Sequence, residues 1–387
     1  MQDERLLHLA SCIIEVTMPN LHETFSSPII IASVEALRYR GRYLVRVRSG
    51  DGAEGITTVN NRLDYLWPIM QQIVAPYFIG KDARDLDTLV DGVYTFRSAY
   101  KLAGIAFWNP VAYVELAVLD MLGKLVGQPV GTLFGPVLRP HIPIYLSSMR
   151  RDTTPEEEVT WLQARLAETG ADAIKLKIGG RMNHNADAFP GRTDALIPLA
   201  RKTFGDAITI YVDANGSYDA EHAIEVGALL ADYGIAFFEE PCPWQEYWQT
   251  KQVADALDMP VAGGEQDSSL PLFDWMIRER VVNVVQTDVM YNGGLIRLLR
   301  VAHMAEAAGM PIMPHSPKFG AEAAAVLHFA SIVPNLGPHQ EYSGAYKEPE
   351  SWYAPTFEIH NGAVTVPTKP GLGVEYDPAM WAKVEHF

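Results

Sequence analysis

The sequence predicts an α/β chain whose βα units close into a parallel barrel, and three observations carry the prediction. Short apolar runs recur with a fixed period, each run is apolar on both faces, and each ends on a residue able to do chemistry. The runs are Ala173–Lys177, Ile208–Asp213, Ile235–Glu239, Val261–Glu265, Val282–Asp288 and Pro311–His315, with a weaker seventh at Pro338–Glu341. From Asp213 onward their last residues are separated by 26, 26, 23, 27 and 26 residues. About five apolar residues followed by a helix-like stretch is one βα unit, repeated. Runs apolar on both faces suit a parallel sheet covered on both sides. A doubly wound sheet is the alternative, but it gathers ligands at one switch point, whereas a (β/α)₈-type barrel uses the carboxyl ends of all its strands.

In chain order, residues 1–136 read as an α+β domain. Cys12–Val16 and Tyr43–Arg48 are strand-like, the second alternating apolar and basic residues. Between them Met18–Pro28 is a polar loop containing His22 and Glu23, and the glycine-rich Ser49–Gly55 turns the chain into Thr57–Asn61. Residues 63–126 read as helical, with an amphipathic run at Tyr113–Leu122. Pro136 and Pro140 mark a boundary, and Ile142–Ser148 reads as the first barrel strand of a domain spanning 137–345. Thr154-Pro155-Glu156-Glu157 starts a helix, with a threonine cap, proline in the first turn and acids at the positive dipole end. Ile178–Arg192 is an unusually long polar loop, either solvated or functional. Residues 346–387 lose the period and are expected to pack back onto the first domain.

The 387 residues suffice for a barrel and a second domain. A formal charge of −16 disfavours nucleic acid and anionic membranes as partners, since both need a basic footprint. Cys12 and Cys242 are too few for a disulfide framework, and the charged N-terminus lacks the apolar stretch of a signal peptide. No apolar run is read as long enough to span a membrane, so a cytoplasmic protein is expected.

Asp213, Glu239 and Glu265 end three successive strands, which sets three carboxylates side by side on one rim of the barrel. Converging carboxylates repel and call for a cation. Oxygen-only ligands favour a hard ion, and three of them leave octahedral Mg²⁺ room for water or substrate. Lys175 and Lys177 alternate along one strand and so share a face; their mutual repulsion is expected to lower the pKa of at least one. Asp288 and His315 end the strands that follow, where a carboxylate can fix the tautomer of the ring.

With Asp120–Lys124, Gly127-Gln128-Pro129, Lys175-Leu176-Lys177, Asp213-Ala214-Asn215, Glu239-Glu240-Pro241, Gly264-Glu265, Asp288, His315, Glu341 and Pro370–Glu375 in place, the chain resembles the enolase superfamily, and in particular its mandelate racemase subgroup. The resemblance covers nearly the whole chain. It implies a (β/α)7β TIM-like barrel with an α+β N-terminal capping domain completed by the C-terminal segment. One Mg²⁺ per subunit is implied on Asp213, Glu239 and Glu265, with Glu239 rather than Glu240 as the middle ligand. Catalytic roles are implied for Lys175, Lys177, Asp288, His315 and Glu341, the last donating a hydrogen bond if protonated.

Asn215 matches a substrate-contacting position, and Ser147, Arg181 and His22 are further candidates for substrate contact. The implied partner is a small carboxylate, with identical subunits assembling into a homo-oligomer. The implied half-reaction removes the α-proton of the carboxylate to give an enediolate. The polar 178–192 loop, with Arg181 and Arg192, and the polar residues Thr57, Thr58 and Asn60 suit a polyhydroxylated acid, so an acid-sugar dehydratase is expected. A racemase or epimerase and a lactone cycloisomerase are the alternatives.

Overall fold

The computed structural model describes residues 21–345 and 352–387; the strand expected at 12–16 lies outside them. The first sheet consists of β1 (Ile31–Tyr39), β2 (Arg42–Ser49) and β3 (Glu54–Val59), paired antiparallel in that order. Sequence reading passed over β1. Its two-residue turn into β2, Arg40-Gly41, has positive φ at both positions, the geometry that matches the twist of a hairpin.

This sheet lies on the helix Ile105–Val126, so closely that a Cβ on Gly55 would fall 1.9 Å from the carbonyl oxygen of Ala117. The helix is long and apolar enough by composition to cross a membrane, which corrects the expectation that no such run exists. It is instead an interior helix, buried nearly all round rather than amphipathic. Its other contacts explain why: Glu115 Oε1 accepts from Ile296 N at the start of the barrel helix Leu295–Ala307. A helix covered on opposite sides has no solvent face to make polar.

Eight staves close the barrel. In order they are β4 (His141–Ser147), β5 (Ala173–Lys177), β6 (Thr209–Asp213), β7 (Phe238–Glu239), β8 (Val261–Gly263), β9 (Val284–Val285), a single bridging residue Ile312, and β10 (Gln340–Ser343). β4 to β9 pair in parallel, Ile312 bridges Val285 and Leu336 in parallel, and β10 returns to β4. A helix follows each of the first seven staves, beginning with Pro155–Thr169, where Thr154 and Glu157 form the expected reciprocal cap. Inward-facing Tyr145, Ala173, Tyr211, Phe237, Ala262, Val284 and Met313 form one packed layer, with Tyr211 and Phe237 stacked at 4.2 Å. Two residues further along the strands, the same face carries Ser147, Lys175, Asp213 and Glu239, with Lys177 two residues beyond Lys175.

The fifth and sixth sequence runs outlast their strands. After Val285 and Ile312 the chain leaves the ladder, so Asp288 and His315 sit on the loops above it. Beyond residue 351, β11 (Tyr353–Ala354) pairs with β14 (Glu375–Tyr376), and the hairpin β12 (Ile359–His360) and β13 (Ala363–Thr365) joins the start of β4 antiparallel. β15 (Glu385–His386) pairs with β1. Asp120 links the parts: one carboxylate oxygen accepts from Ile56 N of the first sheet and the other from Leu372 N of the C-terminal segment.

Candidate active site at the carboxyl end of the barrel

The parallel register sets Ser147 beside Lys175, Lys177 beside Asp213, and Asp213 beside Glu239. Gly264, at φ +110°, turns the chain after β8 and brings Glu265 into line. One oxygen from each of Asp213, Glu239 and Glu265 then lies within 4.8 Å of the others, and all three side chains are buried.

The lysines are paired with acids rather than with one another. Lys175 Nζ is 2.7 Å from Glu239 and 2.8 Å from Glu341, while Lys177 Nζ bonds Asp213. This corrects the expectation of mutual repulsion for Lys175. Burial alone favours its neutral amine, but Glu239 and Glu341 outweigh burial and hold the ammonium well above its ordinary pKa. Burial raises the pKa of Glu341, but the charges on Lys175 and His315 outweigh burial and bring it down to about 2. Its Oε1 is 2.7 Å from Ser147 Oγ and its Oε2 accepts from Ser316 N at 2.7 Å.

At the other end of the carboxylate row stands His315. Its Nδ1 is 2.8 Å from Asp288 Oδ2 and its Nε2 is 3.4 Å from Glu265 Oε2. Asp288 is fully buried and saturated, since Oδ1 accepts from Met290 N and Tyr291 N and Oδ2 accepts also from Lys318 Nζ at 2.8 Å. Burial pushes its pKa up, but Lys318 and His315 bring it well below the usual carboxylate range. Burial pushes His315 down, and Glu265 and Asp288 more than reverse this. Lys177 and His315 therefore flank the carboxylate row at its Asp213 and Glu265 ends.

The donor set fits a divalent cation. Glu265 Oε2 is buried without a hydrogen-bond partner, and burial together with the charge on Asp213 pushes Glu239 well above its ordinary pKa. Such a row carries more negative charge than its lysines offset, and its all-oxygen chemistry suits a hard ion.

Other predicted residues fall on both sides of the ledger. Asn215, held at φ +43°, accepts from Lys177 Nζ at 3.3 Å and donates to Glu240 Oε2 at 3.3 Å, within the site. Ser147 reaches it through Glu341. Arg181 is exposed on the long loop, with its backbone N–H bonded to Ser217 Oγ.

Arg192 is a correction. Its guanidinium is buried and donates to the carbonyls of Thr153, Lys177 and Arg150, so it ties the loop to the strand ends and has no fork free for substrate. His22 Nε2 lies 2.7 Å from Asp85 Oδ1 on the first domain, which leaves its expected substrate contact without support.

Sequence reading missed Lys318 and Arg151. Arg151 donates to Asn215 Oδ1 at 2.8 Å, and its Nε is buried without a partner. It also missed Gln286, which bonds Glu239 at 2.9 Å. The period-2 rule could have found Gln286, two residues before Asp288 on the same run. No periodic signal marks the two loop residues.

The model of the family described as enolase C-terminal domain-like matches residues 157–380, more than half of the chain. The chain is 29% identical over 307 residues to the arabinonate dehydratase of Saccharolobus solfataricus, covering 79% of each chain. A crystal structure from Roseobacter denitrificans, provisionally named a racemase, superimposes with a TM-score of 0.86 at 37% identity, over 93% of this chain and 99% of that one. A mandelate racemase/muconate lactonizing protein from Paracoccus denitrificans, complexed with magnesium, gives 0.86 at 26% identity over the same shares. The chain therefore belongs to the enolase superfamily, within the enolase C-terminal domain-like family.

Proposed function

We propose that the protein is a Mg²⁺-dependent hydro-lyase that removes the α-proton of a sugar-acid carboxylate and then eliminates a β-hydroxyl as water, giving a 2-keto-3-deoxy acid. The observation that carries the reading is the placement of two proton-transfer groups, Lys177 and His315, at opposite ends of one buried row of carboxylates. A divalent cation on Asp213, Glu239 and Glu265 supplies Lewis-acid neutralisation of a substrate carboxylate when bound.

The α-proton of a carboxylate is so weakly acidic that charge developing in the enediolate must be met by preorganised positive charge. Lys175 provides it, held between Glu239 and Glu341 and kept protonated by both. Ionised Glu341, fixed by Ser147 and Ser316, positions that ammonium. With Nδ1–H donated to Asp288, His315 keeps Nε2 turned toward the carboxylate row, where it can take or give a proton. For a 2R acid His315 takes the α-proton and delivers it to the departing β-hydroxyl, which leaves as water; for a 2S acid His315 serves only as the acid on that hydroxyl. Lys177 takes the α-proton of a 2S acid. The dehydratase names among the relatives support this outcome.

The same flanking pair could return a proton to the opposite face, and the likeness to the Roseobacter protein favours that racemase reading as the second one. A panel of aldonates and aldarates incubated with Mg²⁺ in D₂O separates the two. Dehydration gives a keto acid deuterated at C3, whereas recovered substrate with inverted C2, deuterium at that carbon and no keto acid would refute it.

A further inference from the structure

We infer that Arg151, beside Lys177 and Asn215 at the Asp213 end of the carboxylate row, receives a second carboxylate of the substrate, which makes the substrate a sugar diacid. The inference rests on the proposed sugar-acid reading and narrows it.

The three lysines buried at the site each have a carboxylate partner: Lys175 has Glu239 and Glu341, Lys177 has Asp213, and Lys318 has Asp288. Arg151 does not. Its hydrogen bonds go to neutral oxygens, Asn215 Oδ1 at 2.8 Å and the Asp213 carbonyl at 3.4 Å, and its Nε is buried with no partner. Among the described residues no carboxylate oxygen comes within ion-pair distance of it. Burial pushes its pKa down by more than the charge on Asp213 raises it.

A half-buried cation whose Nε is sealed from water and which has no ion-pair partner is costly, and the cost is recovered when an anion arrives. A planar guanidinium with an unused N–H suits the two oxygens of a carboxylate. The position is also suitable, because Arg151 and Lys177 share Asn215 Oδ1 and so Arg151 stands beside the proton-transfer group at the Asp213 end of the row. In a chain of net charge −16, a second substrate carboxylate needs a local cation to be tolerated.

The test titrates Mg²⁺-loaded protein calorimetrically with matched acids, galactarate against galactonate and glucarate against gluconate, and assays keto acid on the same samples. Wild type is expected to bind at least one diacid about tenfold or more tighter than its monoacid partner. Arg151→Met should lower diacid affinity roughly 30-fold or more and bring the ratio near one. Arg151→Lys should keep part of the preference, and Mg²⁺ titration of both variants verifies that the site still folds. Equal wild-type affinity for diacid and monoacid, no binding of any diacid, or equal losses on both in Arg151→Met would overturn the inference. Diacid binding that depends on Arg151 without keto acid would instead refute dehydration alone.

Discussion

Replacing Asp288 by asparagine tests how the His315 flank works. The carboxylate accepts four hydrogen bonds, from Met290 N, Tyr291 N, His315 and Lys318, and every one comes from a donor. An amide has one oxygen. If it faces the backbone N–H groups, its NH₂ meets the Lys318 ammonium and can be accommodated only if His315 Nδ1 accepts, which moves the ring proton to Nε2. The ring then presents a donor where it should present an acceptor, a tautomer error of the kind that disables histidine bases elsewhere.

General acid–base catalysis contributes about 10²–10⁴-fold, so Asp288→Asn should lower kcat/KM by about a thousandfold. Breaking a buried ion pair should also cost about 3–5 kcal/mol of stability. The assay is α-hydrogen exchange in D₂O alongside keto-acid formation. Asp288→Asn should reproduce the pattern of His315→Asn, losing exchange with product if His315 starts the reaction and losing product alone if it finishes it. A variant with the pattern of Lys177→Ala, or with wild-type rates, would refute the dyad.

Chelation should abolish turnover, and Mg²⁺ should restore it. Glu265→Gln should raise the calorimetric Kd for Mg²⁺ at least about tenfold, because it removes the ligand with an unpartnered buried oxygen. Arg192→Met should reduce stability by roughly 2–4 kcal/mol in urea unfolding, since it strips donors from buried carbonyls, and should affect monoacids and diacids alike.

Burial pushes the Glu115 carboxyl up to about 8, above its unfolded value. The native state therefore holds the extra proton between those two values, and stability falls as pH rises through that window, by about 5 kcal/mol at most. Glu115→Gln keeps an acceptor for Ile296 N and should flatten this fall, so that urea stability at pH 9 exceeds wild type; an unchanged pH slope would show that Glu115 is ionised throughout.

The barrel and its carboxylate row were legible because strand geometry is periodic. Inward positions recur every two residues, so Lys175 and Lys177 had to share a face, and the recurrence of one acid per βα unit had to align Asp213, Glu239 and Glu265 along the rim. What the period did not carry was not legible. The helix Ile105–Val126 read as amphipathic although it is buried nearly all round, because its burial depends on two layers that come from distant parts of the sequence. Lys318 lies three residues beyond His315 on a loop, and nothing local says that it returns to Asp288.

The arginines show most sharply where sequence reasoning stops. Arg192 and Arg181 drew attention because they stand in a long polar loop, but loop membership says nothing about which way a guanidinium turns. Arg192 turns inward to backbone carbonyls, which a five-donor fork can saturate without any counter-ion, and so serves to fix the loop. Arg151, in the short connection after β4, meets Asn215 and a single carbonyl, too few acceptors to use its donors. The number of acceptors each arginine meets, a property of tertiary packing alone, separates the structural cation from the one left with binding capacity for substrate.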